Sequence, residues 1–77
     1  MPVRNQPTVL TAKVGARIRE LRLQRNMSLA DVKVAVGVTP GHLSGVEHGR
    51  VNVTLECLGR IAKALGVEIC ELVSFTV

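Results

Sequence analysis

At 77 residues the chain makes one domain at most, and its 47% hydrophobic, 21% charged composition is globular; with Phe75 the lone aromatic, the core must come from Val, Leu, Ile and Ala. The net charge of +4 is uneven: Arg4, Lys13, Arg17, Arg19, Arg22 and Arg25 face only Glu20 in the first 25 residues, whereas the last ten hold Glu68 and Glu71 and no Lys or Arg, so a polyanion is expected on one side only. A mean hydropathy of +0.30 predicts apolar surface that meets a partner, yet no apolar run approaches the roughly 18 to 20 residues of a membrane span.

Residues 1–9 read as a flexible N-terminal segment, and 10–77 as the domain. The start, MPVRNQPTVL, has two prolines, one arginine and no long apolar stretch; it is neither secretion signal nor anchor, so a cytoplasmic location is expected. A first helix is predicted from about Thr11 to Arg25, with Val14, Ile18 and Leu21 inward and Asn26 as a left-handed stop. Ser28 with Asp31 forms a capping box for a second helix, whose Val32 and Val36 recur at four-residue spacing until Gly37 ends it. Gly37-Val38 makes a corner with a hydrophobic plug, and Thr39-Pro40 supplies an N-cap and a first-turn proline for a third helix. Leu43, Val46 and Glu47 face inward in that helix, and Gly49 stops it.

After a loop from Arg50 to Val53, Thr54 and Glu56 open a fourth helix with Leu55, Leu58, Ala62 and Leu65 inward, ended by Gly66. A short fifth helix, about Glu68 to Val73, turns Ile69 and Leu72 inward and leaves Ser74 to Val77 as an apolar tail. The expectation is an all-α, compact five-helix domain. Two short helices about a tight turn, Ser28 to Arg50, have the layout of a DNA-reading helix-turn-helix.

On IRELRLQRNMS (Ile18 to Ser28), GVTPGHLSGVEHG (Gly37 to Gly49) and VTLECLGRIAKALGVEICEL (Val53 to Leu72), the chain resembles the lambda repressor-like helix-turn-helix regulators, the Xre and Cro group. The resemblance covers about residues 14–73, and its form is most similar to the controller proteins of restriction-modification systems. It implies a homodimeric, autoregulatory transcription regulator on double-stranded DNA with a palindromic operator. By the same resemblance Arg22 and Glu47 form an inter-helix salt bridge. Arg25, Ser28, Arg50, Asn52 and Thr54 meet phosphate, Ser28 through its side chain and amide at a helix N-terminus. The plain alternative for Ser28 is an N-cap alone.

Base-reading positions of the family fall on Thr39, Pro40, Gly41, His42, Ser44 and Gly45. None is the Arg, Lys, Asn or Gln that bidentate readout uses. Thr39, His42 and Ser44 are left as base contacts, with His48 or Arg50 at the far end. Specificity is then expected to lean on DNA shape, with close backbone approach at Gly41 and Gly45. Lys33 and Leu29 also depart from the family's small residue and Gln.

A single short recognition helix discriminates poorly, so two on a palindrome are expected, joined through Val53, Val67, Ile69, Val73 and Phe75; intramolecular core is the alternative for each. Cys57 and Cys70 read as buried small hydrophobes rather than a disulfide framework. His42 and His48, six apart, do not share a helix face, so no metal site is expected. His42 and Ser44, two apart, do not face each other as base and nucleophile, so neither catalysis nor a cofactor is expected, nor a small-molecule ligand or a membrane partner. The competing expectation is a protein-interaction module with a degenerate helix-turn-helix, an antitoxin-like or antirepressor partner.

Overall fold

Side-chain caps set where the helices begin. In the computed structural model, which describes residues 8–37 and 40–75, Thr11 N–H donates to Thr8 Oγ1 at 3.1 Å and Thr8 N–H donates to Thr11 Oγ1 at 2.8 Å. This reciprocal cap starts α1 (Val9–Gln24) before the expected Thr11, so Thr8 and Val9 belong to the helix and its cap rather than to a flexible segment. Ser28 and Asp31 make the expected capping box for α2 (Leu29–Val36). Helix α3 (Pro40–Glu47) starts at the proline, while Val38 and Thr39, the expected plug and cap, lie outside the described residues.

Thr54 caps α4 (Leu55–Leu65) by accepting from Cys57 N–H at 3.1 Å, and at α5 (Ile69–Leu72) the Glu71 carboxylate accepts from Glu68 N–H at 3.0 Å. The expected stops at Asn26, Gly37, Gly49 and Gly66 all have positive φ.

All five helices meet in one core: Val14, Ile18 and Leu21 of α1, Val32 and Val36 of α2, Leu43 and Val46 of α3, Leu58, Ile61, Ala62 and Leu65 of α4, and Leu72 of α5. The radius of gyration, 11.6 Å, is that of a folded domain of this length. Two expected core residues lie outside it. Leu55 is 81% exposed because α4 begins there, one turn short of the packed Leu58. Ile69, 44% exposed, instead leans toward Gly59, where an added Cβ would lie 3.6 Å from Ile69 Cδ1. Nor are both cysteines buried: Cys57 is half-buried, and burial pushes its thiol pKa up against the opposing charge of Arg60, whereas Cys70 is exposed on the side of α5 away from Leu72.

The tightest packing joins α1 to the end of α3. A Cβ at Gly15 would fall 2.2 Å from Val46 O and 2.7 Å from Glu47 O, and one at Gly49 would fall 2.7 Å from Ala12 Cα. Thr11 Oγ1 closes the contact by donating to Gly49 O at 2.8 Å. Because the obstructing atoms at Gly15 are backbone, Gly15→Ala is expected to destabilise the fold. Overpacking costs about 1–3 kcal/mol, against the ~1 kcal/mol that Ala gains over Gly in a helix. Urea denaturation checks this; an unchanged or raised midpoint contradicts it.

Candidate nucleic-acid interface

The helix-turn-helix is held from one side by a buried ion pair. Arg22 Nε donates to Glu47 Oε2 at 2.7 Å and Arg22 Nη2 to Glu47 Oε1 at 3.0 Å, while Nη1 donates to Met27 O at 2.8 Å. The two side chains are 10% and 3% exposed. This bidentate fork joins the end of α1, the residue before Ser28 and the last residue of α3. Ser28 and Arg50, which begin the two expected phosphate-binding segments, are thereby hung from one bond network.

At the start of α2, Ser28 Oγ accepts from Asp31 N–H at 3.1 Å and Ser28 N–H donates to Asp31 Oδ2 at 2.8 Å. The amide that the resemblance assigns to phosphate is thus occupied by a carboxylate of the chain itself. By helix geometry the Leu29 and Ala30 amides, with the Ser28 hydroxyl, are what α2 offers an anion. Hydrogen bonds from the Ser28 amide and then its hydroxyl hold the Asp31 carboxyl below its ordinary value of 3.8. Leu29 is half-buried against the core and Lys33 is exposed.

On α3, Leu43, Val46 and Glu47 are buried, as expected, and Gly41 and His42 are exposed, with Ser44 half-buried; His48, in the turn that follows the helix, is exposed. Gly45 differs from the expectation of close approach to a ligand: it is buried, and a Cβ there would meet Val51 Cγ1 at 3.6 Å. Of these two glycines, Gly41 is the one with open space around it. His48 Nδ1 lies 2.8 Å from Ser44 O and 3.4 Å from Ser44 Oγ, so the ring nitrogen nearest the hydroxyl is a donor to a carbonyl and does not act as a base. Thr39 lies outside the described residues.

The basic end is smaller than the charge count suggests. Lys13 Nζ lies over Phe75, 5.8 Å from the ring centroid; Arg17 Nε donates to Glu71 O at 2.9 Å and its guanidinium pairs with Glu20. With Arg22 in the buried pair, three cations of the first 25 residues hold the fold together. Arg25, Arg50, Asn52 and Thr54 are exposed, and Arg25 Nη1 donates to Leu21 O at 3.3 Å.

The five residues expected at a dimer surface do not share one site. Val53 and Val73 line a groove of about 210 Å³ with Leu10, Val14, Leu55 and Leu58, while Val67 and Ile69 line a cleft with Gly59 and Lys63, and Phe75 lies by Lys13 and Arg17. Reading the sequence missed Leu10 and the exposure of Leu55 in that groove, along with Thr11 and Gly15. A glycine inside an otherwise strong helix was the available signal for Gly15. Among the described residues no group of His, Cys, Asp and Glu could hold a metal, and no helix is long and apolar enough to cross a membrane.

The two short helices α2 and α3, packed with α1, α4 and α5, define a lambda repressor-like helix-turn-helix domain. A family model described as helix-turn-helix matches residues 18–72, and the chain belongs to this Xre-like family. It is 37% identical over 60 residues to the HTH-type transcriptional regulator DdrOP3 of Deinococcus deserti, covering 78% of this chain but only 46% of that protein. It is 35% identical over 63 residues to the control protein C.BamHI of Bacillus amyloliquefaciens, covering 80% of this chain and 78% of that one. The crystal structure of the restriction-modification controller protein C.AhdI from Aeromonas hydrophila superposes with a TM-score of 0.78 at 35% identity, covering 80% and 94% of the two chains.

Two outcomes follow from the caps and the ion pair. Arg22→Ala is expected to cost about 3–5 kcal/mol in urea denaturation, because it strands a buried carboxylate; a loss under ~1 kcal/mol contradicts that role. Asp31, with its folded value lowered, adds stability that is complete above 3.8 and is lost as pH falls through the lower folded value. Asp31→Asn should therefore show a shallower acid-side fall in urea midpoint than the wild type, and parallel curves would count against the capping role.

Proposed function

We propose that this chain is a sequence-specific DNA-binding transcriptional regulator, a homodimer on a palindromic operator that controls its own promoter as part of a restriction-modification system. The observation that carries the reading is the α2-turn-α3 unit fixed by Arg22, which presents an exposed α3 face beside two polar segments, Ser28 and Arg50 to Thr54. The likeness to C.BamHI and C.AhdI supports it.

Helix α3 enters the major groove with Thr39, His42 and Ser44 toward base edges. Arg25, the Ser28 hydroxyl, Arg50, Asn52 and Thr54 hold phosphates on either side. Short side chains on α3 make DNA shape a large part of specificity. The second copy covers the groove that contains Val53 and Val73, beside Leu10 and Leu55, while Val67, Ile69 and Phe75 flank other clefts; this pairing sets half-sites about one helical turn apart.

Fluorescence anisotropy with the gene's own upstream duplex and a scrambled duplex, across a salt series, tests this. The expected result is a preference of at least ~10³-fold for the upstream duplex, with a steep salt slope from the phosphate contacts. Equal weak binding to both, or none, sinks the reading and turns the search to protein partners.

A further inference from the structure

We infer that His48 is a specificity-determining residue that reads an exocyclic base amine, adenine N6 or cytosine N4, through Nε2; the inference rests on the DNA-binding reading above. Gly41, Ser44 and His48 recur at i, i+3 and i+7, and because His48 N–H donates to Ser44 O at 3.0 Å they form one stripe along α3 and the turn that closes it. The first two rungs are low: Gly41 has no side chain and no atom within 4 Å of where a Cβ would stand, and Ser44 is short and half-buried. A helix with low rungs at its start approaches a groove closely, and the exposed imidazole at the third rung is the first long group on the stripe.

The ring is also oriented. Its Nδ1 lies 2.8 Å from Ser44 O and 3.4 Å from Ser44 Oγ. A carbonyl oxygen only accepts, so Nδ1 carries the proton and the neutral ring has its lone pair on Nε2. An acceptor has nothing to gain from a phosphate oxygen, which is itself an acceptor, so Nε2 selects a donor. In the major groove the donors on base edges are the amines of adenine and cytosine. Holding the ring to its own helix removes rotamer freedom before binding, which lowers the entropy lost in the contact.

The test is selection from a library of randomised duplexes with wild type, His48→Ala and His48→Gln, their fold checked by circular dichroism. Wild type is expected to enrich a two-fold symmetric motif with A or C at the position read. His48→Ala should lose about tenfold preference, the size of one neutral hydrogen bond, at one base pair per half-site and keep the remainder. His48→Gln, which restores an acceptor, should keep that preference. An Ala motif identical to wild type, or a uniform loss at every position, overturns the inference while leaving the regulator reading intact. A wild type that enriches no motif defeats both.

Discussion

The Arg22–Glu47 pair is the constraint on which the rest of this small domain depends. Its fork binds both Glu47 oxygens, and its third donor takes the Met27 carbonyl, so one side chain fixes the exit of α1, the entry to α2 and the exit of α3. Burial makes that arrangement stringent. With the carboxylate 3% exposed, neither partner has water to fall back on, and the geometry must be kept or the pair becomes a liability. The aliphatic core supplies cohesion without direction; the ion pair and the backbone contacts at Gly15 and Gly49 supply direction.

Those glycine contacts lie along α1, which at 16 residues is the longest of the described helices. Helix α1 runs along the end of α3 with Gly15 against the Val46 and Glu47 carbonyls and Ala12 against Gly49, then reaches α5 through Arg17 and Phe75 through Lys13. It serves as a spine with the helix-turn-helix on one flank and the C-terminal helix on the other. Cations on that spine are therefore divided between holding the fold and facing solvent.

The fold was legible in the sequence because its signals are local. Ser28 with Asp31, Thr54, Gly37, Gly49 and Gly66 mark helix ends by chemistry that acts within three or four residues, and Val14, Ile18, Leu43 and Leu58 repeat at helical spacing. The Arg22–Glu47 pair spans 25 residues and was legible only through the family resemblance. What sequence spacing misjudged was where a helix ends relative to the core. Leu55 fits the periodic pattern yet lies a turn beyond the packed layer, and Ile69 has a cleft beside a glycine instead of a core position. Likewise Lys13 and Arg17 count as positive charge in any sum over the sequence, but their partners are a ring and a carbonyl far along the chain. Gly45 shows the same limit: it is buried beside Val51, a neighbour that spacing on α3 does not reveal.

The Asp31 carboxylate on the Ser28 amide gives the start of α2 an anion of its own. A phosphate arriving there joins an already neutralised helix end, so it must either displace Asp31 or sit beside its negative charge. On the DNA-binding reading proposed above, docking at this point would be an exchange of one anion for another more than an addition, with little free energy gained in the swap. In the complex proposed above, the start of α2 would work as a gauge of position, accepting a backbone only where the rest of the surface has already brought it, and would leave tightness of binding to the exposed cations elsewhere.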